Sequence, residues 1–153
     1  QFNSLSQPFI ILLTVPLSLI GVMFGLTITG NKFTFVAFVG VVSLVGIAVN
    51  DAIVLVDYIN YLRKNGYSLN EAIVKTGKTR FLPVLATTIT TAGGILPITL
   101  KQPFFSPLGY SIIFGLSMAT VLTLVIIPIM YALLTSLKLK FKNKRKKVIR
   151  NES

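Results

Sequence analysis

Long uncharged stretches alternate along the chain with short segments that carry most of its charge. The uncharged stretches predict helical spans at about residues 8–30, 33–62, 81–100 and 106–137, the second of which continues past two aspartates. A hydrocarbon core of about 30 Å requires about 20 helical residues, so each stretch is long enough to cross a bilayer once. Transmembrane strands would need polar and apolar positions in alternation, and these runs are apolar throughout. The pattern predicts an all-α integral membrane fold with four transmembrane helices.

A short amphipathic helix is predicted between the second and third spans, at about residues 68–77. Ser68 and Glu71 have the spacing of a capping box, in which each side chain bonds the backbone of the other residue. Gly77 is the expected end of this helix. The helix is expected either to lie against the cytoplasmic side of the bundle or to be a solvated connector.

Prolines are expected to shape two of the spans, the first and the last. Pro16 and Pro128 lie inside spans, where proline is tolerated in membrane helices and introduces kinks. Pro107 is expected in the first turn of the last span, a position that suits a residue without a backbone N–H.

Composition supports a membrane protein and excludes several other classes. Hydrophobic residues make up 53% of the 153 positions and charged residues 12%, whereas a soluble domain carries about 25% charged residues. The chain contains no cysteine and no histidine, which excludes a disulfide scaffold, histidine-bound zinc and a Ser-His-Asp triad within it. We expect no metal, no cofactor and no enzymatic activity. The first residue is Gln, and we expect the chain to be a fragment of a longer protein.

Positive charge is concentrated on one side of the predicted spans. Five lysines or arginines lie within residues 63–80 and eight within residues 138–153, whereas the two other loops carry only Lys32 and Lys101. By the positive-inside rule, the 63–80 segment, the basic tail at 138–153 and both ends of the chain are expected to be cytoplasmic. The tail either binds anionic membrane lipids or serves only as a topology signal. It lacks the groove and stacking chemistry of RNA binding, so no nucleic-acid partner is expected.

The second span carries the side chains most suggestive of transport chemistry. Asp51 lies deep in an apolar run, where a carboxylate costs a few kcal/mol and usually faces a protein interior or a water path. It is expected either to relay protons or ions, or to form a structural hydrogen bond to a neighbouring helix. One face of the same helix has a small and polar stripe made of Ser43, Gly46, Asn50 and Asp57. Asp51 points about 100° away from Asn50. Asp57 is expected to be a secondary relay group or an interfacial anchor.

The third span carries a second set of small and polar residues: Thr87, Thr88, Thr90, Thr91, Gly93 and Gly94. Hydroxyls bond within or between membrane helices, and glycines allow close backbone approach, so this set favours helix packing over a pathway. Gly21 with Gly25 forms a GxxxG motif, and Gly115 with Ala119 forms a small-xxx-small pair.

Several of these residues, taken in order, resemble a known family. The stretch Gly46–Tyr58 resembles the tenth transmembrane helix of the resistance-nodulation-division (RND) exporters, the acridine-resistance multidrug pump superfamily. Three other stretches match in the same order, namely residues 1–17 with the passage into the ninth helix, 80–97 with the eleventh helix and 128–131 with the end of the twelfth. The resemblance covers nearly the whole chain up to about Leu137.

The resemblance implies a twelve-helix permease, usually a homotrimer in the bacterial inner membrane, of which this chain would be the last four helices. Such permeases exchange protons for exported substrate and work with a periplasmic adaptor and an outer-membrane channel. The family's relay lysine falls on Asn50, and the neighbouring family asparagine falls on Asp51. An arginine and a threonine of the eleventh helix fall on Arg80 and Thr87.

The leading expectation is therefore a fragment of a proton-driven efflux permease that exports drugs or other amphiphiles. Asp51, Asn50, Arg80 and Thr87 are the expected relay residues, with secondary roles for Asp57 and Ser43. One alternative is a protein- or lipid-export relative of the same superfamily. The other is a four-helix accessory subunit that transports nothing by itself.

Overall fold

The computed structural model describes the chain from Ser6 to Asn151, with side chains placed at residues 8–137, 139 and 140. This part of the chain contains no strand and five helices: α1 (Ser6–Leu12), α2 (Thr14–Thr29), α3 (Phe35–Lys64), α4 (Leu69–Lys101) and α5 (Ser106–Asn151). Helices α1 and α2 are separated by Leu13 alone and together form the first of four segments that are long and apolar enough to cross a membrane. The prediction of an all-α membrane fold with four spans is confirmed.

The break between α1 and α2 lies next to Pro16, where the sequence predicts a kink. Because Pro16 has no backbone N–H, the carbonyl of Leu12 cannot receive the usual helical hydrogen bond from it. Leu13, the one non-helical residue, still donates its N–H to the Phe9 carbonyl at 3.1 Å. Helix α5 runs through Pro128 without a break, and Pro107 is its second residue, as predicted.

Helix α4 begins at the predicted capping box. The Glu71 N–H donates to Ser68 Oγ at 3.3 Å, and the Ser68 N–H donates to Glu71 Oε2 at 2.9 Å. The structure differs from the sequence prediction at Gly77, because the helix continues through it as one element of 33 residues. A glycine ends a helix by adopting positive φ, and in the described residues only Gly30 and Gly66 do so.

Helix α5 is the centre of the bundle and contacts α2, α3 and α4, whereas α2 and α4 do not meet within the described residues. The GxxxG pair on α2 faces α5. A Cβ atom at Gly21 would lie 2.8 Å from the Phe114 carbonyl oxygen and 3.1 Å from the Cα of Gly115. The predicted small-residue motifs therefore lie where α2 crosses α5, and they allow the two backbones to approach closely.

Two apolar clusters fill the interior of the bundle. The Ile127 cluster joins α1, the second half of α3, the start of α4 and the later part of α5. The Leu116 cluster joins α2, the first half of α3 and the earlier part of α5. On α3 the buried residues of the first cluster begin at Ala52 and those of the second end at Leu44, and between them only Ala48 and Asp51 are buried.

Candidate functional site

The polar stripe of α3 lies on an exposed face of the four-span unit. All four of its residues are exposed, namely Ser43, Gly46, Asn50 and Asp57. The Ser43 hydroxyl donates back to the Val39 carbonyl at 3.0 Å, and a Cβ atom at Gly46 would have nothing within 4 Å. The predicted relay residue Asn50 and the secondary residues Ser43 and Asp57 are thus turned away from the other helices described here.

Asp51 lies on a different face of α3, about 100° around the helix from Asn50, and this face is inside the bundle. It is 7% exposed and follows Leu44 and Ala48 along the buried seam of the helix. Its Oδ2 atom is buried and has no hydrogen-bond partner among the described residues. Although Asn50 and Asp51 are neighbours in the chain, the structure does not bring them into one site.

Helices α3 and α5 are parallel and keep a constant register. Tyr131 Oη donates to Asn60 Oδ1 at 2.6 Å across the pair. Gly115 packs against the Leu44 side chain, so closely that a Cβ atom at Gly115 would overlap it. In both pairs the α5 residue follows its α3 partner by 71 positions. Leu44 lies two turns before Asp51 on the same face, so Asp51 also points towards α5.

This register places Asp51 level with residues 120–123 of α5. Two threonines in that segment, Thr120 and Thr123, are 3% and 1% exposed. The hydroxyl of Thr120 shares a 2.5 Å hydrogen bond with the hydroxyl of Thr88 on α4. Helix α4 therefore contributes a buried hydroxyl at the same level.

Helix α2 contributes a fourth hydroxyl from the other side of α5. A Cβ atom at Gly21 would lie 2.5 Å from the Cβ of Met118, and α2 runs antiparallel to α5, which puts Ser18 near the level of Asp51. We call these buried residues the polar layer: Ser18, Asp51, Thr88, Thr120 and Thr123. The layer lies between the Ile127 cluster and the Leu116 cluster.

Apart from Asp51, no member of the polar layer is among the site residues predicted from the sequence: Thr88 was assigned to helix packing, and Ser18, Thr120 and Thr123 were not singled out. The available signal was the three-residue spacing of Thr120 and Thr123, which puts two hydroxyls on one face of an apolar helix. Isolated hydroxyls are common in membrane helices, because they bond back to their own helix, so the spacing alone does not mark a site.

Arg80 lies at the start of the apolar run of α4 and packs on an aromatic ring of α3. Its Cζ atom is 4.5 Å from the centroid of the Tyr58 ring, within the range of a cation–π contact. Its Nε atom is buried without a hydrogen-bond partner among the described residues. Tyr58 follows Asp51 by seven residues, about 10 Å along the helix axis. Arg80 is therefore near the side of the polar layer that faces the Ile127 cluster, but outside the layer.

Thr87 is exposed, and its hydroxyl donates to the Pro83 carbonyl at 3.0 Å within α4. It does not face Asp51. The adjacent Thr88, which the sequence placed in a packing set, is the threonine of that set that reaches another helix. Gly93 and Gly94 have open space where a Cβ atom would be, so they do not serve as packing glycines within the described residues.

The charged first turns of α4, before the apolar run, hold two perturbed groups. Hydrogen bonds from the Ser68 side chain and backbone lower the pKa of the Glu71 carboxyl. Lys75 Nζ donates to Tyr67 Oη at 2.8 Å, which raises the pKa of Lys75, and lies 4.3 Å from the centre of the same ring. These contacts order the segment that joins α3 to α4.

Comparison with known proteins identifies the family. Residues 1–135 match the AcrB/AcrD/AcrF family. The chain is 37% identical over 144 residues to the swarming motility protein SwrC of Bacillus subtilis (strain 168), covering 91% of this chain and 14% of SwrC. It is 32% identical over 150 residues to the multidrug resistance protein MdtC of Serratia proteamaculans (strain 568), covering 95% of this chain and 15% of MdtC. The crystal structure of a heavy metal efflux pump matches with a TM-score of 0.76 and 34% identity, covering 89% of this chain and 14% of the pump.

The chain therefore belongs to the AcrB/AcrD/AcrF family of RND efflux permeases, and the resemblance seen in Gly46–Tyr58 is confirmed. It spans 14% to 15% of the length of the relatives described above.

Proposed function

We propose that this chain is the C-terminal membrane segment of a proton-driven efflux permease that exports drugs or other amphiphiles across the bacterial inner membrane. The observation that carries the proposal is the Asp51 carboxyl, enclosed among helices with one oxygen unpaired. Intramembrane carboxylates of this kind mark proton or ion pathways in transporters. Relatives named for multidrug resistance and for heavy metal efflux support export as the activity.

The relay residues have different positions and therefore different roles. Asp51 carries the proton, because it is the one carboxylate buried at membrane depth in the described residues. Asn50 and Thr87 lie on exposed faces of α3 and α4, where helices from the rest of the permease reach them. Arg80 holds a positive charge on the cytoplasmic side of Asp51. Ser43 and Asp57 have secondary roles beside Asn50.

The complete transporter supplies what this segment lacks. The rest of the permease chain covers the exposed stripe of α3, and three copies assemble in the inner membrane with a periplasmic adaptor and an outer-membrane channel. The basic 63–80 segment, the tail and both ends of the segment are cytoplasmic, in contact with membrane lipids. Family membership and the small share of the relatives that this chain spans support this assembly.

The test is to replace Asp51 in the complete transporter, reconstituted in vesicles with an imposed pH gradient. Asp51→Asn keeps the volume of the side chain and removes its titration, so export should be abolished or strongly reduced while expression and assembly persist. Asp57→Asn should have a milder effect, because Asp57 is exposed and has water as an alternative partner. Normal export by Asp51→Asn across a range of pH would show that the proton chemistry lies elsewhere in the permease.

A further inference from the structure

The hydroxyl groups of the polar layer have already used their protons. Three of them donate to a backbone carbonyl of their own helix: Ser18 to Val15 at 2.7 Å, Thr88 to Val84 at 3.1 Å and Thr123 to Thr120 at 3.1 Å. Either hydroxyl could donate in the hydrogen bond between Thr88 and Thr120, and Thr120 is the donor whenever Thr88 keeps its bond to Val84. The hydroxyl oxygens of the polar layer therefore remain available as hydrogen-bond acceptors.

A set of hydrogen-bond acceptors does not stabilise an ionised Asp51 carboxylate. An ionised Asp51 is an acceptor only, so it needs donors that the polar layer does not offer. A protonated carboxyl carries an O–H that can donate to a threonine oxygen. A sodium ion likewise binds carboxylate and hydroxyl oxygens, which are the ligands that hard cations prefer. Either cation would complete the hydrogen bonding or coordination of this buried level.

We propose that the polar layer is a binding site for a monovalent cation, a proton or a sodium ion, formed by the Asp51 carboxylate with the hydroxyl oxygens of Thr120 and Thr123. The site deepens the proposed function, on which it rests, by placing the coupling cation inside this four-span unit. It is separate from the exposed stripe that contains Asn50, and it makes α5 a part of the coupling machinery.

Few charged or titratable groups face this site from the helices packed around it. Helices α1 and α2 carry none from Ser6 to Thr29, and α5 carries only Tyr110 and Tyr131 before Lys138. On α3, Asp57 is exposed, and Tyr58 is covered by Arg80 of α4 two turns away. The other charged residues of α4 lie at its two ends: Glu71, Lys75, Lys78 and Lys101. Asp51 is therefore the group whose charge the bound cation neutralises.

Binding at this site would couple charge to helix packing. When the cation leaves, a carboxylate charge remains between two apolar clusters and faces only acceptors, which is costly at membrane depth. The cost falls if α3 and α5 separate enough to admit water. A conformational change in the complete transporter would therefore follow release of the cation from the polar layer.

Infrared difference spectroscopy of the complete transporter between acid and alkaline pH tests the site directly. The protonated Asp51 should give a carboxylic C=O band that Asp51→Asn removes. Thr120→Val and Thr123→Val should shift that band and move its appearance to lower pH, because the neutral acid loses an acceptor. Thr27→Val is the matched control, since Thr27 makes the same kind of backbone bond, 2.7 Å to the Met23 carbonyl, on an exposed face. These threonine variants keep the carboxyl, so they remain informative if Asp51→Asn fails to fold.

The two cations are distinguished by repeating the titration in sodium chloride and in choline chloride. Loss of the band in sodium at constant pH identifies a sodium site, and an unchanged band identifies a proton site. The proposal fails if no band depends on Asp51 and sodium has no effect, or if Thr120→Val and Thr123→Val behave like Thr27→Val. If export driven by a pH gradient persists in that case, the chain still belongs to a proton-driven permease, but the site is refuted, and the absence of any Asp51-dependent band also refutes the relay role of Asp51. If the unmodified transporter shows no such export, the proposed function itself is wrong.

Discussion

Arg80 is held by an aromatic ring and makes no ion pair with a carboxylate in the described residues. The Tyr58 ring stacks in turn on Tyr61, with centroids 6.1 Å apart, so the guanidinium rests on a small aromatic group of α3. A desolvated cation–π contact contributes about 2 kcal/mol. The contact fixes the guanidinium without pairing it with a carboxylate, on the side of the polar layer that faces the Ile127 cluster.

We expect the face of the Tyr58 ring, and not its hydroxyl, to matter for Arg80. In the complete transporter, Tyr58→Leu should reduce export in the same direction as Arg80→Ala, because it removes the ring that holds the guanidinium. Tyr58→Phe keeps the ring and should export at close to the normal rate. Both are measured as drug efflux from vesicles at matched protein levels. Equal losses in Tyr58→Phe and Tyr58→Leu would instead assign the role to the hydroxyl.

Asn50 and Asp51 show what the sequence can and cannot predict about single residues. Helical geometry alone predicts that the two side chains point about 100° apart. It does not predict which of them faces the other helices, because a membrane helix is apolar on nearly every face and has no strong amphipathic signal. The buried side of α3 was settled by contacts with α5, such as Leu44 against Gly115, which join residues far apart in the chain.

At the level of elements, α4 differs most from the sequence prediction. Its start at Ser68 was predictable because a capping box is a local signal that needs no tertiary contact. Its continuation through Gly77 was not, since a glycine ends a helix only where the chain turns, and here the next residues remain helical up to Lys101. A rigid helix therefore links the charged segment around Lys75 to the polar layer at Thr88.

The capping box should control the stability of the first turns of α4. Ser68→Ala removes the side-chain acceptor and should cost about 1 kcal/mol, roughly a fivefold increase in local opening. Hydrogen–deuterium exchange of the peptide covering residues 68–77 measures that increase. Thr79→Ala, at an exposed position of the same helix outside the cap, should leave the exchange of this peptide unchanged.

The stability that the Ser68–Glu71 capping box contributes should also depend on pH. Because its bonds with Ser68 lower the pKa of Glu71 in the folded chain, its contribution is present above the ordinary pKa of a glutamate and is lost as pH falls through the lowered value. Protection of the 68–77 peptide, corrected for intrinsic exchange, should therefore decrease on acidification in the unmodified protein. Glu71→Gln should show little of this dependence, and an equal decrease in both proteins would exclude Glu71 as its origin.

At the scale of the whole molecule, the four spans differ in how much of each is covered. In the most apolar window of α4, 11% of the residues are buried, against 39% to 44% in the other three spans. Its exposed residues include the small or polar positions Thr87, Thr90, Gly93 and Gly94. Surfaces that face lipid are normally large and apolar, whereas small and hydroxyl residues are enriched between membrane helices. The uncovered face of α4 therefore has the composition of an interface.

We expect this face to be covered in the complete transporter and uncovered in the 153-residue chain alone. A nitroxide on Thr90→Cys should be immobile and protected from oxygen in the complete transporter, and mobile and accessible in the isolated chain in detergent. Ile20→Cys on α2 is the comparison, because Ile20 is 56% exposed among other large apolar residues and should face lipid in both forms. Electron paramagnetic resonance line shapes and oxygen accessibility report both positions. If Thr90→Cys is as accessible as Ile20→Cys in the complete transporter, this face of α4 faces lipid. Thr87 lies nearly one turn before Thr90 and would then have no helix from the rest of the permease to contact. That result would remove Thr87 from the proposed relay.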